Sequence, residues 1–103
     1  MKPPLSQVLS ALAKDDLHKI YVYTIEKWGT KQALVYMHKI HKTLEFVRNN
    51  PQIGYIHLNL GKEHRIAKIE RHLIVYRIKE KTIFVSRILH ENQYIKTHLK
   101  LYE

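Results

Sequence analysis

The sequence predicts an α+β fold: an N-terminal strand, a hairpin of two helices, then a three-stranded antiparallel meander and a tail. Three observations predict it. Apolar residues recur every three or four positions as far as Val47, every second position after His64, and short breaks separate the segments. A chain of 103 residues has room for one modest core. Residues 1–103 are therefore expected to form a single domain, with 91–103 as its C-terminal tail.

The elements follow in order. Pro4–Ser10 alternates weakly and reads as an edge strand with proline at its start. Ser10 reads as an N-cap, because its hydroxyl can accept from a free amide one turn on. Asp15 and Asp16 lie in the early turns of the helix, where its dipole tolerates negative charge. From Ala11 to Trp28 the period is helical, with Ala13, Leu17, Ile20, Tyr21, Thr24 and Trp28 on one face. Gly29 ends this helix and Thr30 is expected to cap the next. There Ala33, Met37, Ile40, Leu44 and Val47 repeat at spacings of four and three, with Tyr36 beside them. Asn49–Pro51 stops the second helix, since proline cannot continue it. The short break between the helices makes them an antiparallel hairpin.

Gln52–Glu63 reads as a loop bounded by Gly54 and Gly61. His64–Ile69, His72–Ile78 and Thr82–Leu89 then read as strands. Their connections are too short for a crossover, so neighbours must be antiparallel. The middle strand is apolar at both parities: Leu73 and Val75, Ile74 and Tyr76. It is expected at the centre, with both faces at least partly covered. Asn92–Leu99 reads as a short helix or an extended tail.

The charge is lopsided. Eighteen Lys and Arg stand against nine Asp and Glu, a formal net charge of +9. That favours an acidic partner: nucleic acid, an anionic surface or an acidic protein. With no Cys there is no disulfide framework and no thiolate metal site. No stretch approaches the roughly 18 apolar residues of a membrane span. The N-terminus lacks an export signal, so a cytoplasmic location is expected.

Candidate chemistry is sparse. His38 and His41 have ligand-compatible spacing, but no carboxylate or thiol completes a set, and no metal or cofactor is expected. Ser6, Ser10 and Ser86 lie in no glycine-framed elbow, and there is no phosphate loop. A metal-free ribonuclease needs a base, an acid and cations at the phosphate. Arg65, Arg77, Arg87 and His90, with His64, Arg71 and His72 nearby, are the residues that can supply these. Arg65 shares a strand face with Ala67 and Ile69, and Arg87 with Val85 and Leu89, which puts both at the rim of core-facing rows. Solvated cations covering apolar surface with their stems are the plainer reading. Val22, Ile25 and Leu34 fall off the buried stripes and are candidates for a partner-binding groove.

A resemblance orders these alternatives. Ala13, Asp16-Leu17, Ile20, Tyr23-Thr24, Trp28-Gly29, Gln32-Ala33, Tyr36, Asn50-Pro51 and Gly54 resemble the helical hairpin of the ParE branch of the RelE/ParE toxin superfamily. Residues 71–78 and 85–99 resemble its central strand, last strand and tail. The resemblance implies a helical hairpin packed on a twisted antiparallel sheet. It also implies the toxin of a type II toxin–antitoxin pair, neutralised by an antitoxin with an acidic, partly disordered segment. RelE- and YoeB-type members cleave mRNA on the ribosome, whereas ParE-type members poison DNA gyrase. His90 occurs in both branches. The chain continues past it through His98-Leu99, as ParE-like tails do, and lacks a lysine pair before the first meander strand. It departs from the ParE pattern at Glu70, where Gly is usual, and at Gln93 and Tyr94. With Glu70 the tight turn is expected to take another type.

The expectation is a gyrase-trapping toxin rather than a catalyst. Arg77, Arg87, His90, Tyr94, Lys96 and His98 are its target-facing residues, and Val22, Ile25 and Leu34 face the antitoxin. The alternative is a ribosome-dependent mRNA endonuclease using Arg65, Arg77, Arg87 and His90.

Overall fold

A computed structural model describes residues 5–56 and 63–92. Strand β1 (Ser6–Leu9) leads into helices α1 (Ala11–Trp28) and α2 (Thr30–Asn49). Strands β2 (Tyr55–Ile56), β3 (His64–Ile69), β4 (His72–Lys79) and β5 (Thr82–His90) follow. Together the strands form one sheet in the order β1-β5-β4-β3-β2. The helical hairpin and the meander stand as the sequence implies. Two features differ. β1 runs parallel to β5, so the sheet is mixed at that edge. The segment read as a loop contains β2, which pairs antiparallel with β3 through Tyr55↔Ile66 and Ile56↔Arg65. Two residues are too few to show an alternating pattern.

β4 is central, and Leu73, Ile74, Val75 and Tyr76 are all buried. Ile74 and Tyr76 join the main core with Ile40, Leu44 and Val47 of α2. Leu73 and Val75 join Ile66 and Leu89 in a second cluster, the opposite parity on the same strand. The register of β5 against β4 slips between Val75↔Arg87 and Tyr76↔Val85, leaving Ser86 as an extra residue. This bulge resets the alternation, so Val85 and Ile88, three apart, both reach the helix-side core.

Ser10 does two jobs at the entry to α1. Its Oγ accepts from the Ala13 amide at 2.9 Å, the expected cap, and donates to the Ser86 carbonyl at 2.7 Å. The side chain thus fixes α1 against the bulge. Thr30 does not cap α2. The N-cap is Gly29, at φ 89°, where no side chain contributes. One glycine in the left-handed region closes α1 and opens α2, leaving Thr30 as the first helical residue. Trp28, placed on the buried face of α1 by its spacing, is 71% exposed. The helix ends there, beyond the reach of the sheet.

Glu70 corrects another expectation. It adopts φ 48° itself, and the register Ile69↔His72 closes a two-residue turn as a glycine would. Glu80 does the same at φ 57°. A non-glycine residue there is strained by roughly 1 kcal/mol. Glu80→Gly is expected to raise stability by about 0.5–1 kcal/mol, read as a higher urea midpoint.

Among the described residues, no helix is long and apolar enough to cross a membrane.

Candidate functional site

The sequence nominates four residues for phosphodiester cleavage, and the fold does not bring all four together. Arg65 lies on β3 opposite Tyr76. Its Nη1 donates to the Gly54 carbonyl at 2.8 Å, with the Gln52 carbonyl at 3.4 Å, so it holds the chain entering β2. Arg77 lies opposite His64 and Phe84, on the other face of the sheet from Arg65 by alternation. Its guanidinium sits 5.3 Å from the centre of the Phe84 ring, a cation–π distance. Arg65 and Arg77 both reach a shallow depression at the end of the sheet, beside Glu63 and Lys79. His90 is six residues beyond Phe84 on β5. At about 3.3 Å per residue it stands roughly 20 Å from Arg77.

Arg87 is the clearest correction. Read as a target-facing or phosphate-binding cation, it is 9% exposed. Its Nε and Nη2 donate to the two carboxylate oxygens of Asp16 at 2.7 and 2.9 Å. Asp16 Oδ2 also accepts from the Ile88 amide at 2.9 Å. The cause is topological. β1 ends at Leu9, opposite Val85, so among the described residues the next part of β5 has no strand on that side. α1 crosses there, and Asp16 replaces the missing strand as acceptor. A solvent-facing Arg87 would leave this carboxylate buried and unpaired, which is costly. The sequence reading placed Asp16 in the helix dipole and missed this bond. Its position three after Ala13 and four before Ile20, both buried, is the signal that an inward Asp needs a cation.

At the opposite end from Arg77 the sheet gathers titratable groups. The His72 and His90 rings pack edge to face at 5.2 Å, on a cross-strand pair. Tyr36 of α2 reaches His72 Nδ1 with its hydroxyl at 2.5 Å. Burial, and then the neighbouring His90, pushes the His72 pKa down to about 4. Burial pushes the Tyr36 hydroxyl up, so it remains a donor. His90 Nδ1 accepts from the Asn92 amide at 3.1 Å. Tyr94, Lys96 and His98 lie outside the described residues.

The exposed apolar side chains include two groups. The first is near the turn of the hairpin: Val22 at 39%, Leu34 at 57%, and Tyr23 and Trp28. Ile25, nominated with them, is only half-exposed. The second was not nominated. Phe46, Ile53 and Tyr55 line a groove over Ala67 and Val47, between Lys42 and Lys68, with Ile56 exposed in the same strand as Tyr55. Its members come from a helix end, a loop and a two-residue strand, so no single period displays them. His38 and His41 are both exposed on α2, and among the described residues no group of three possible metal ligands occurs.

The arrangement offers basic and apolar contact surfaces rather than a converged acid–base set. Comparison with known proteins gives the family and the fold. Residues 8–94 match the family described as ParE toxin of type II toxin–antitoxin system, parDE. A protein named Toxin ParE1 from Caulobacter vibrioides is 31% identical over 91 residues, covering 88% of this chain and 94% of that one. Toxin ParE1 from Mycobacterium tuberculosis is 29% identical over 93 residues, covering 89% and 95%. Among solved structures, a chain from the chromosomal ParDE system of P. aeruginosa superposes with a TM-score of 0.75 at 22% identity, covering 84% of this chain and 95% of that one. A chain of the RelBE2 toxin–antitoxin complex of M. tuberculosis gives 0.65 at 16%, covering 85% and 99%.

Proposed function

This chain belongs to the ParE toxin family of type II toxin–antitoxin systems, and from that premise we propose that it poisons DNA gyrase in the cytoplasm by stabilising the cleaved gyrase–DNA complex. The observation that carries the reading is the dispersal of the four nuclease candidates. Arg87 is bound to Asp16, Arg65 is engaged with the backbone at Gly54, and Arg77 and His90 sit at opposite ends of the sheet. General acid–base cleavage needs its groups within hydrogen-bond reach of one substrate. A binding protein has no such requirement.

Arg77 and His90 are then the target-facing residues of the described sheet, with Tyr94, Lys96 and His98 of the tail. Arg87 supports them from within by fixing β5. Val22 and Leu34, with Ile25 at their base, take the antitoxin at the hairpin. The structural neighbours come from toxin–antitoxin systems, which supports such a partner. An acidic antitoxin segment is favoured by the +9 charge, which speeds encounter.

The test is plasmid supercoiling by gyrase with ATP and purified toxin, run beside an in vitro translation reaction. Trapped linear DNA with translation intact is expected. Normal supercoiling with mRNA cut inside ribosomes would replace this reading with the nuclease one. Arg77→Glu is expected to weaken gyrase inhibition about tenfold or more while leaving the thermal midpoint near that of the parent, since the side chain is half-exposed.

A further inference from the structure

Tyr36 and His72 have no part in the contacts assigned above, yet with His90 they tie three elements together. Tyr36 comes from α2, His72 opens β4 and His90 closes β5. We propose that these three side chains form a proton-sensitive clasp that holds α2 against the end of β5 at neutral pH and opens on acidification.

The geometry suits a neutral His72. With Nδ1 unprotonated, the Tyr36 hydroxyl donates to it at 2.5 Å. A protonated imidazole must instead donate to the Tyr36 oxygen, which turns the hydroxyl proton toward the Ile69 carbonyl, a longer and weaker 3.4 Å away. It would also set a positive charge against the His90 ring, 5.2 Å away.

The surrounding charges divide. Glu70 and Glu91 favour protonation of His72. Glu70 is held by Lys39 of α2 at 2.9 Å, and Glu91 by Lys68 of β3 at 3.3 Å. Arg71, in the turn beside it, accepts at its carbonyl from the Glu91 amide at 2.7 Å. The two carboxylates are thus already matched by lysines, and burial dominates.

The direction of the pH effect follows. Unfolded, His72 takes a proton near its ordinary value of 6.5; folded, it resists until about pH 4. Between those values the unfolded chain binds more protons, so stability falls as the pH falls. The clasp's contribution is complete above pH 6.5. Because β5 passes into the tail just after His90, opening the clasp loosens the side of the sheet that carries His90 as a target contact. That last consequence rests on the gyrase reading; the clasp itself does not.

Urea titrations of the full chain at pH 7.5 and 4.5 test it, comparing the parent with His72→Gln, which keeps an acceptor and cannot titrate. The parent's folding constant is expected to fall roughly 70-fold more than the variant's over this interval. Equal losses would overturn the proposal. Should His72→Gln fail to fold, nitrogen-15 titration of the parent's imidazoles decides. A midpoint for His72 well below 5 supports the clasp, and one near 6.5 overturns it. Neither readout involves gyrase, so a failed clasp and a failed gyrase assignment are separable.

Discussion

Replacing Asp16 with alanine is expected to remove about 3–5 kcal/mol of folding stability. For a domain of this size that is a large part of the total, which is typically about 5–15 kcal/mol. The loss has two sources. Arg87 would lose both carboxylate bonds while remaining buried, and the Ile88 amide would lose its acceptor. Asp16→Asn keeps an acceptor for Ile88 and is expected to cost less, about 1–3 kcal/mol. Removing both partners, as in Asp16→Ala with Arg87→Met, should cost less than the sum of the single changes, because no buried charge is stranded. Urea unfolding of the four chains measures the cycle. An Asp16→Ala loss below about 1 kcal/mol would show that water reaches the guanidinium and that the pair is not truly buried. On the proposed gyrase reading, the same variant should blunt inhibition, since the grip on Ile88 fixes the end of β5 that carries His90.

Gly54→Ala is expected to cost about 3 kcal/mol, for a different reason. A Cβ at Gly54 would lie 2.5 Å from the Tyr76 hydroxyl oxygen and 2.8 Å from its ring. The ring cannot retreat: Tyr76 is fully buried in the main core. Its hydroxyl accepts from the Gly54 amide at 2.9 Å and donates to the Pro51 carbonyl at 2.8 Å. Any shift to relieve the overlap stretches both bonds. Tyr76→Phe alone should cost about 1–3 kcal/mol by leaving those two backbone groups without their partner. Combined with Gly54→Ala it should cost less than the sum, because the hydroxyl is also the nearest clashing atom. Additive losses in thermal or urea unfolding would mean that the glycine is needed for its backbone and not for the space. Arg65, which donates to the Gly54 carbonyl, makes this junction the anchor of the chain entering β2.

Much of the architecture was legible because it rests on period. The helical stripes of Ala13, Ile20 and Thr24, and of Ala33, Ile40, Leu44 and Val47, are the buried ones. The dual parity of Leu73–Tyr76 marked β4 as central. Proline after Asn50 and glycine at position 29 marked where the helices end. Such features depend on neighbours in the chain, and a sequence displays them directly. The candidate site was less legible. Val22 and Leu34 were identified as surplus apolar residues and are exposed. Arg87 was read by its charge, yet it serves the interior. Tyr36 was read as lying beside the core stripe and His72 as a strand end near the nuclease candidates, and their bond spans 36 residues of sequence.

By itself, then, the sequence determined the order and type of the elements other than β2, the basic character of the chain and the family. Local periodicity and chain-breaking residues are sufficient for the first, counting for the second, and an ordered set of spaced residues for the third. The tertiary structure decided which charges face the partner and which hold the fold. That choice depends on where β1 stops beside β5, on the bulge at Ser86 and on the helix that crosses the vacant edge. An arginine on a strand looks the same in sequence whether solvent or Asp16 awaits it. Only the packing of distant segments sets the local dielectric, and with it the role of the charge.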